Sequence, residues 1–160
     1  MGNRIAIYPG TFDPITNGHL DIIKRSLGIF DKIIVAVAQN SNKKTLFNLN
    51  ERREMIKEAL VDEKRIEVDA FEGLTVEYAK KMGACAILRG LRAVADFEYE
   101  LQMANMNRKL NTSLETVFMM TSEKSFFVSS RNVKEVANFG GDISELVPPI
   151  VAKKVYEKFK

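Results

Sequence analysis

The chain has 160 residues, 46% hydrophobic and 28% charged, the proportions of a globular domain with a sizeable core and not of a disordered or fibrous chain. Lys and Arg number 24 against 21 Asp and Glu; the net charge of +3 is spread along the chain, so no nucleic-acid partner is expected. The single cysteine, Cys85, excludes an intrachain disulfide and a cysteine-based zinc cluster; set in the apolar stretch 84–88, it is expected to be a buried, inert thiol.

A first strand is predicted over residues 4–8. It gives way to Tyr8-Pro9-Gly10-Thr11-Phe12-Asp13-Pro14-Ile15-Thr16-Asn17-Gly18-His19, rich in turn residues, and then to a helix with Leu20, Ile23, Leu27 and Phe30 on one face. The first turn of a helix points unpaired N–H groups and the positive end of its dipole outward, which suits an anion. His19, the only histidine, falls at this point. By itself it reads as a capping residue; in this segment it reads better as a mobile positive charge or a hydrogen-bond donor beside an anion.

Within the second predicted strand, 32–38, the run from Ile33 to Ala38 is apolar without alternation, as in a central parallel strand covered on both faces. It is too short to cross a bilayer, the first residues carry no signal-peptide core, and Ala6 breaks the Gly2 myristoylation pattern. A cytoplasmic location without a membrane partner is therefore expected. Asn40-Ser41-Asn42-Lys43-Lys44 follows, either a solvated turn or two cations placed over the strand ends.

A helix over 51–60, a strand over 65–71, a helix over 75–82 closed by Gly83, and a strand over 84–88 come next. Arg89-Gly90-Leu91-Arg92 is then read as a loop whose two guanidinium groups suit phosphate oxygens. The helix over 94–109 places Val94, Phe97, Leu101 and Ala104 on one stripe, expected to face the core. Its Glu98 and Glu100 either serve as charges near a helix start or, for Glu100, accept hydrogen bonds from a ribose or amine; both roles stay open. A fifth strand over 115–120 leads through Thr121-Ser122-Glu123-Lys124-Ser125-Phe126-Phe127-Val128 to a helix capped by Ser129 or Ser130, with Arg131 in its first turn. That helix stops near Asn138, before Gly140-Gly141, and a last one follows Pro148-Pro149.

This β-then-α rhythm predicts one α/β domain over 1–160, a Rossmann-like doubly wound fold with a five-stranded parallel sheet and a helical C-terminal extension. In such sheets ligands sit beyond the carboxyl ends of the strands, where strand order reverses. The loops beginning at Pro9, Gln39, Arg89 and Thr121 would meet there. Neither G-x-G-x-x-G nor G-x-x-x-x-G-K-[ST] occurs, which argues against dehydrogenases and ordinary NTP hydrolases. Basic loops, helix N-termini and one histidine without an activated Ser or Cys point to direct transfer between phosphates. An attacking phosphate, with a second pKa near ~6, is already largely anionic and needs no general base.

At these residues the chain resembles the phosphopantetheine adenylyltransferase family, within the nucleotidyltransferases that share a T/H-x-G-H motif, here Thr16-Asn17-Gly18-His19. The resemblance spans nearly the whole chain and includes Arg89 to Glu100 read as RGLRAVADFEYE, Met106-Asn107-Arg108, Ser129-Ser130 and Val133-Lys134-Glu135-Val136-Ala137. It implies transfer of the adenylyl group of ATP to 4'-phosphopantetheine, giving dephospho-coenzyme A and pyrophosphate, with Mg²⁺ bound mainly through the ATP phosphates and no protein metal ligand assigned. By the same resemblance His19 stabilises the transition state, Thr11 and Lys43 orient the reacting phosphates with Arg92 among the catalytic groups, and Arg89 and Thr75 lie on the pantetheine side with them. Phe12, His19, Gly90, Leu91, Arg92, Glu100 and the run Ser125, Phe126, Phe127, Val128, Ser129, Ser130 and Arg131, together with Thr11, would hold ATP. A homo-oligomer, typically a hexamer, is implied too. The chain departs from the family pattern at Ser125-Phe126, Arg131 and Thr75, around the adenine, the triphosphate and the pantetheine arm respectively. An adenylyltransferase acting on nicotinamide mononucleotide, a cytidylyltransferase, or a non-catalytic nucleotide-binding module would share much of this pattern.

Overall fold

The computed structural model describes residues 3–39 and 43–160. Five apolar runs become strands of one parallel sheet: β1 (Ile5–Gly10), β2 (Lys32–Gln39), β3 (Ile66–Glu72), β4 (Ala86–Leu91) and β5 (Glu115–Met120), in the order β3-β2-β1-β4-β5. The helices are α1 (Asn17–Ser26), α2 (Leu49–Ala59), α3 (Thr75–Lys81), α4 (Val94–Leu110), α5 (Ser130–Asn138) and α6 (Pro149–Lys158). Because side chains alternate across a strand, β1 sends Ala6 and Tyr8 into one core layer and Ile7 into the other. The first layer joins Tyr8, Val35 and Leu88 to Ile22 of α1, Ile56 of α2, Val133 of α5 and Val151 of α6. The second joins Ile7, Ile34 and Ile87 to Val76 and Ala79 of α3. Burial of each such side chain contributes roughly 1.5–3 kcal/mol.

β1 and β2 stay paired as far as Gly10 against Val37, and β4 and β5 as far as Leu91 against Met120. Between β1 and β4, however, pairing is limited to Ala6 with Ala86 and Ile7 with Ile87. The sheet therefore splays between β1 and β4 towards its carboxyl edge, at the point where strand order reverses.

Four expectations need correction. Arg89, Gly90 and Leu91 belong to β4, paired with Phe118, Met119 and Met120, and do not form a loop. Leu27 and Phe30 are buried as expected but lie beyond the end of α1, in the turn into β2. Cys85 is exposed, because β4 begins one residue later; its thiol donates to the Ile5 carbonyl at 3.3 Å. The stripe on α4 does not enter the core: Val94 is 86% exposed, and Phe97 and Leu101 are exposed as well. α4 packs on β4, β5 and α3 along a line displaced from this stripe, with Glu100 buried on it, while Phe97 meets Phe118 of β5 edge-on at 6.0 Å.

Candidate active site

The β1–α1 turn is held in one shape by its own side chains. Phe12 is buried with φ of 49°, a left-handed conformation that non-glycine residues adopt rarely and at a cost of roughly 1–3 kcal/mol. Its ring lies over Gly10, where an added Cβ would meet the ring at 2.8 Å, so position 10 has no room for a side chain. The same ring meets Tyr8 edge-on at 5.4 Å and His19 at 5.1 Å between centroids.

Thr16 and His19 form a reciprocal cap at the start of α1. The His19 N–H donates to Thr16 Oγ1 at 3.4 Å, and the Thr16 N–H donates to His19 Nδ1 at 3.0 Å. A backbone N–H can only donate, so Nδ1 is an acceptor and the proton of the neutral ring sits on Nε2. Burial, reinforced by the positive charges of Arg92 and Arg89, lowers the His19 pKa to about 4. Of the two roles expected of His19, a mobile positive charge or a donor, the lowered pKa and the Nδ1 hydrogen bond favour the second: a neutral ring that offers Nε2–H to the crevice it lines.

Asp13, buried on the same turn, accepts the N–H groups of Leu46 and Phe47, both at 2.9 Å, and the Lys134 Nζ at 2.7 Å. Ser130 Oγ donates to the Pro14 carbonyl at 2.7 Å, a second tie between α5 and this turn. From α2, the Arg52 Nη1 donates to the carbonyls of Thr11 and Ala38, at 2.7 and 3.1 Å. Lys43 brings its Nζ to 3.4 Å from Thr11 Oγ1; Asn40, Ser41 and Asn42 of the same basic stretch lie outside the described residues.

Across the splay, Arg89 Nη1 donates to the Pro9 carbonyl at 2.7 Å, taking over a group that β4 no longer pairs. The same guanidinium grips Glu100 of α4 with two parallel bonds, Nε to Oε2 at 2.7 Å and Nη2 to Oε1. Burial alone would lower the Arg89 pKa; the hydrogen bonds and charge of Glu100 outweigh it and hold the value above the usual one. Arg92, just past β4, pairs with Asp96 at 3.0 Å. The N-terminus of α5 closes the crevice, with Ser129 as the cap accepting from the Asn132 N–H at 3.1 Å.

Two cavities meet at this edge of the sheet. The first, of about 420 Å³, is lined by Thr11, Phe12, His19, Lys43, Arg89, Gly90, Arg92 and Glu100, and by Val128, Ser129, Ser130 and Arg131 of the α5 end. The second, of about 330 Å³, opens on the side of α3 and α4, with Thr75, Phe71, Ile87, Tyr99, Met103 and Asn107. Both are bounded by Pro9, Gly10, Thr11, Arg89 and Glu100. Of the residues singled out from sequence, Leu91, Ser125, Phe126 and Phe127 line neither: Ser125 is buried against Gly18, and Phe126 and Phe127 are exposed. Lys44 and Thr121, read from sequence as part of converging loops, line the first cavity as well, and so do Asp13, Thr45, Asp96 and Lys134, which had been given no role beforehand. Lys134 had a signal, since it stands one helical turn beyond Ser130 and so on the same face.

A parallel sheet that splays at its switch point, with a capping histidine and a cationic crevice there, defines a nucleotidyltransferase-type domain. The family model described as cytidylyltransferase-like matches residues 7–136. A solved structure titled a putative nicotinate-nucleotide adenylyltransferase, from Vibrio parahaemolyticus, superposes with a TM-score of 0.70 over 96% of this chain and 99% of that one; at 18% identity the likeness concerns the fold. A phosphopantetheine adenylyltransferase from Caldanaerobacter subterraneus subsp. tengcongensis is 59% identical over 98% of both chains. Another so named, from Desulfosudis oleivorans, is 57% identical over 97% of this chain and 92% of its own. The chain belongs to the phosphopantetheine adenylyltransferase family.

Proposed function

We propose that the protein transfers the adenylyl group of ATP to 4'-phosphopantetheine, the penultimate step of coenzyme A synthesis. The observation that carries this reading is the meeting of two cavities, one on each face of the sheet, at Thr11, Arg89 and Glu100. A reaction between two bound phosphates needs such a junction, with cations around it and no protein nucleophile inside.

ATP occupies the first cavity, its β- and γ-phosphates directed to the α5 N-terminus with Ser129, Ser130 and Arg131. The pantetheine arm occupies the second, against Phe71, Ile87 and Met103, with Thr75, Tyr99 and Asn107 as polar partners. An oxygen of the acceptor phosphate attacks the α-phosphorus in line; the bond from that phosphorus to the bridging oxygen breaks, and pyrophosphate leaves with the electron pair. Thr11 and Lys43 orient the acceptor phosphate, Arg89 and Arg92 balance the growing charge, and the His19 Nε2–H donates to an oxygen on the α-phosphorus. No proton has to be removed from the acceptor.

Mg²⁺, bound mainly through the ATP phosphates as the family resemblance implies, would supply charge neutralisation on the triphosphate. Among the described residues no group of three or more His, Cys, Asp or Glu is placed to hold a metal ion. The crevice acids are engaged, Asp13 with Lys134, Asp96 with Arg92 and Glu100 with Arg89. The exposed apolar side chains of α4, among them Val94, Phe97, Leu101 and Met106, support self-association, as a hexamer by family resemblance. No helix of the described residues is long and apolar enough to cross a membrane, and with ATP and the acceptor as substrates the proposed location is the cytoplasm. Pyrophosphate release from ATP with phosphopantetheine, nicotinamide mononucleotide or nicotinate mononucleotide offered in turn tests the reading. Turnover with phosphopantetheine is expected; turnover only with a mononucleotide overturns it.

A further inference from the structure

We propose that Lys134 is a positioning residue that fixes the Lys43 loop against the amino end of α5, acting through Asp13. The inference rests on the adenylyl-transfer reading for its kinetic consequence and on the geometry alone for its structural one. The Asp13 side chain is 5% exposed, and its charge is compensated by Lys134 Nζ at 2.7 Å. The other cation near it, Arg52, directs Nη1 to the carbonyls of Thr11 and Ala38 instead. Among the described residues Lys134 is therefore the only side-chain cation bonded to Asp13.

The two remaining contacts of the carboxylate lead to the loop. Leu46 and Phe47 donate their N–H groups to Asp13, and the chain runs from Lys43 through Lys44 and Thr45 directly into them. A buried carboxylate that loses its cation moves towards water or draws a proton. Either change loosens the two N–H bonds that anchor the root of the loop. Lys43 Nζ, now 3.4 Å from Thr11 Oγ1 at the junction of the cavities, would lose its placement. Lys134 links this root to α5, whose Ser130 already holds the Pro14 carbonyl.

The test is a cycle of Lys134→Met and Lys43→Ala, with Lys134→Arg as the conservative variant. Lys134→Met is expected to lower kcat about tenfold, Lys134→Arg to restore most of it, and the double variant to fall no more than about twofold below Lys43→Ala. Independent of turnover, trypsin should cut after Lys43 or Lys44 several-fold faster in Lys134→Met, with other sites unaffected. Fully additive losses, or full kcat in Lys134→Met, overturn the inference; so does unchanged cleavage at Lys43 and Lys44. Should Lys134→Met fail to fold, Lys134→Gln, which keeps a donor without the charge, goes through the same measurements. A wild-type protein without turnover refutes the proposed reaction instead, and the proteolysis result still decides the placement of the loop.

Discussion

Replacing His19 with alanine removes a donor whose proton the surrounding backbone has already located. The Thr16 N–H occupies Nδ1, so the variant loses Nε2–H, while the helix start keeps the Thr16 half of its cap. Loss of a single preorganised donor to a transition-state oxygen lowers kcat by ~10²–10³-fold, or roughly 2.7–4 kcal/mol. KM for ATP should change little, because the donor is used mainly when charge develops. The ring also meets Phe12 and Tyr8, so a stability loss of roughly 1–2 kcal/mol is expected from those contacts. Pyrophosphate release under saturating substrates, paired with a thermal melt, separates the two effects. With its pKa at about 4, the ring of the free enzyme is neutral at physiological pH, so kcat/KM should show no limb near pH 6.5 from His19. A kcat within about threefold of wild type in His19→Ala, or an acid limb of kcat/KM near 6.5 that disappears with the histidine, would refute the neutral-donor reasoning.

The same lowered pKa links to stability. Above about 6.5 the ring is neutral in both states; between there and about 4 the unfolded chain takes up a proton that the folded chain refuses. Stability should fall with acid over that window, by about 1–2 kcal/mol because one edge of the ring faces the open crevice, and His19→Gln should flatten this part of the urea-stability profile. Glu100→Ala strips Arg89 of its partner, and with that arginine side chain only 31% exposed the loss should be roughly 2–3 kcal/mol, a fall in Tm of about 5–10 °C by calorimetry; an unchanged Tm speaks against the pair. Gly10→Ala drives a Cβ into the Phe12 ring and should cost about 1–3 kcal/mol in denaturant unfolding. Lys43→Ala should weaken phosphopantetheine binding about tenfold or more by titration calorimetry, and native affinity would remove Lys43 from the acceptor site.

The strand and helix rhythm was legible because each apolar run has a length and period that only one kind of element buries well, as in Ile33 to Val37. The edges were less so. Pro9 and Gly10 look like strand breakers, yet they pair with Ala36 and Val37. Arg89 to Leu91 look like a loop, yet β5 holds them, and that pairing is non-local. The apolar stripe on α4 resembles a core face because sequence periodicity does not distinguish a buried face from one left exposed on a single chain. The crevice itself followed from loop positions at the strand ends. The His19 tautomer and the Asp13–Lys134 tie did not, since one depends on a backbone hydrogen bond and the other joins residues far apart in the chain.

Direct passage of the adenylyl group between the two cavities is open to a stereochemical measurement. An ATP analogue made chiral at the α-phosphorus by sulfur substitution, turned over with phosphopantetheine, should yield a product inverted at that centre, the outcome of one in-line displacement. Retention of configuration would require two displacements through a covalent enzyme intermediate, and the junction at Thr11, Arg89 and Glu100 would then not be where the two phosphates react.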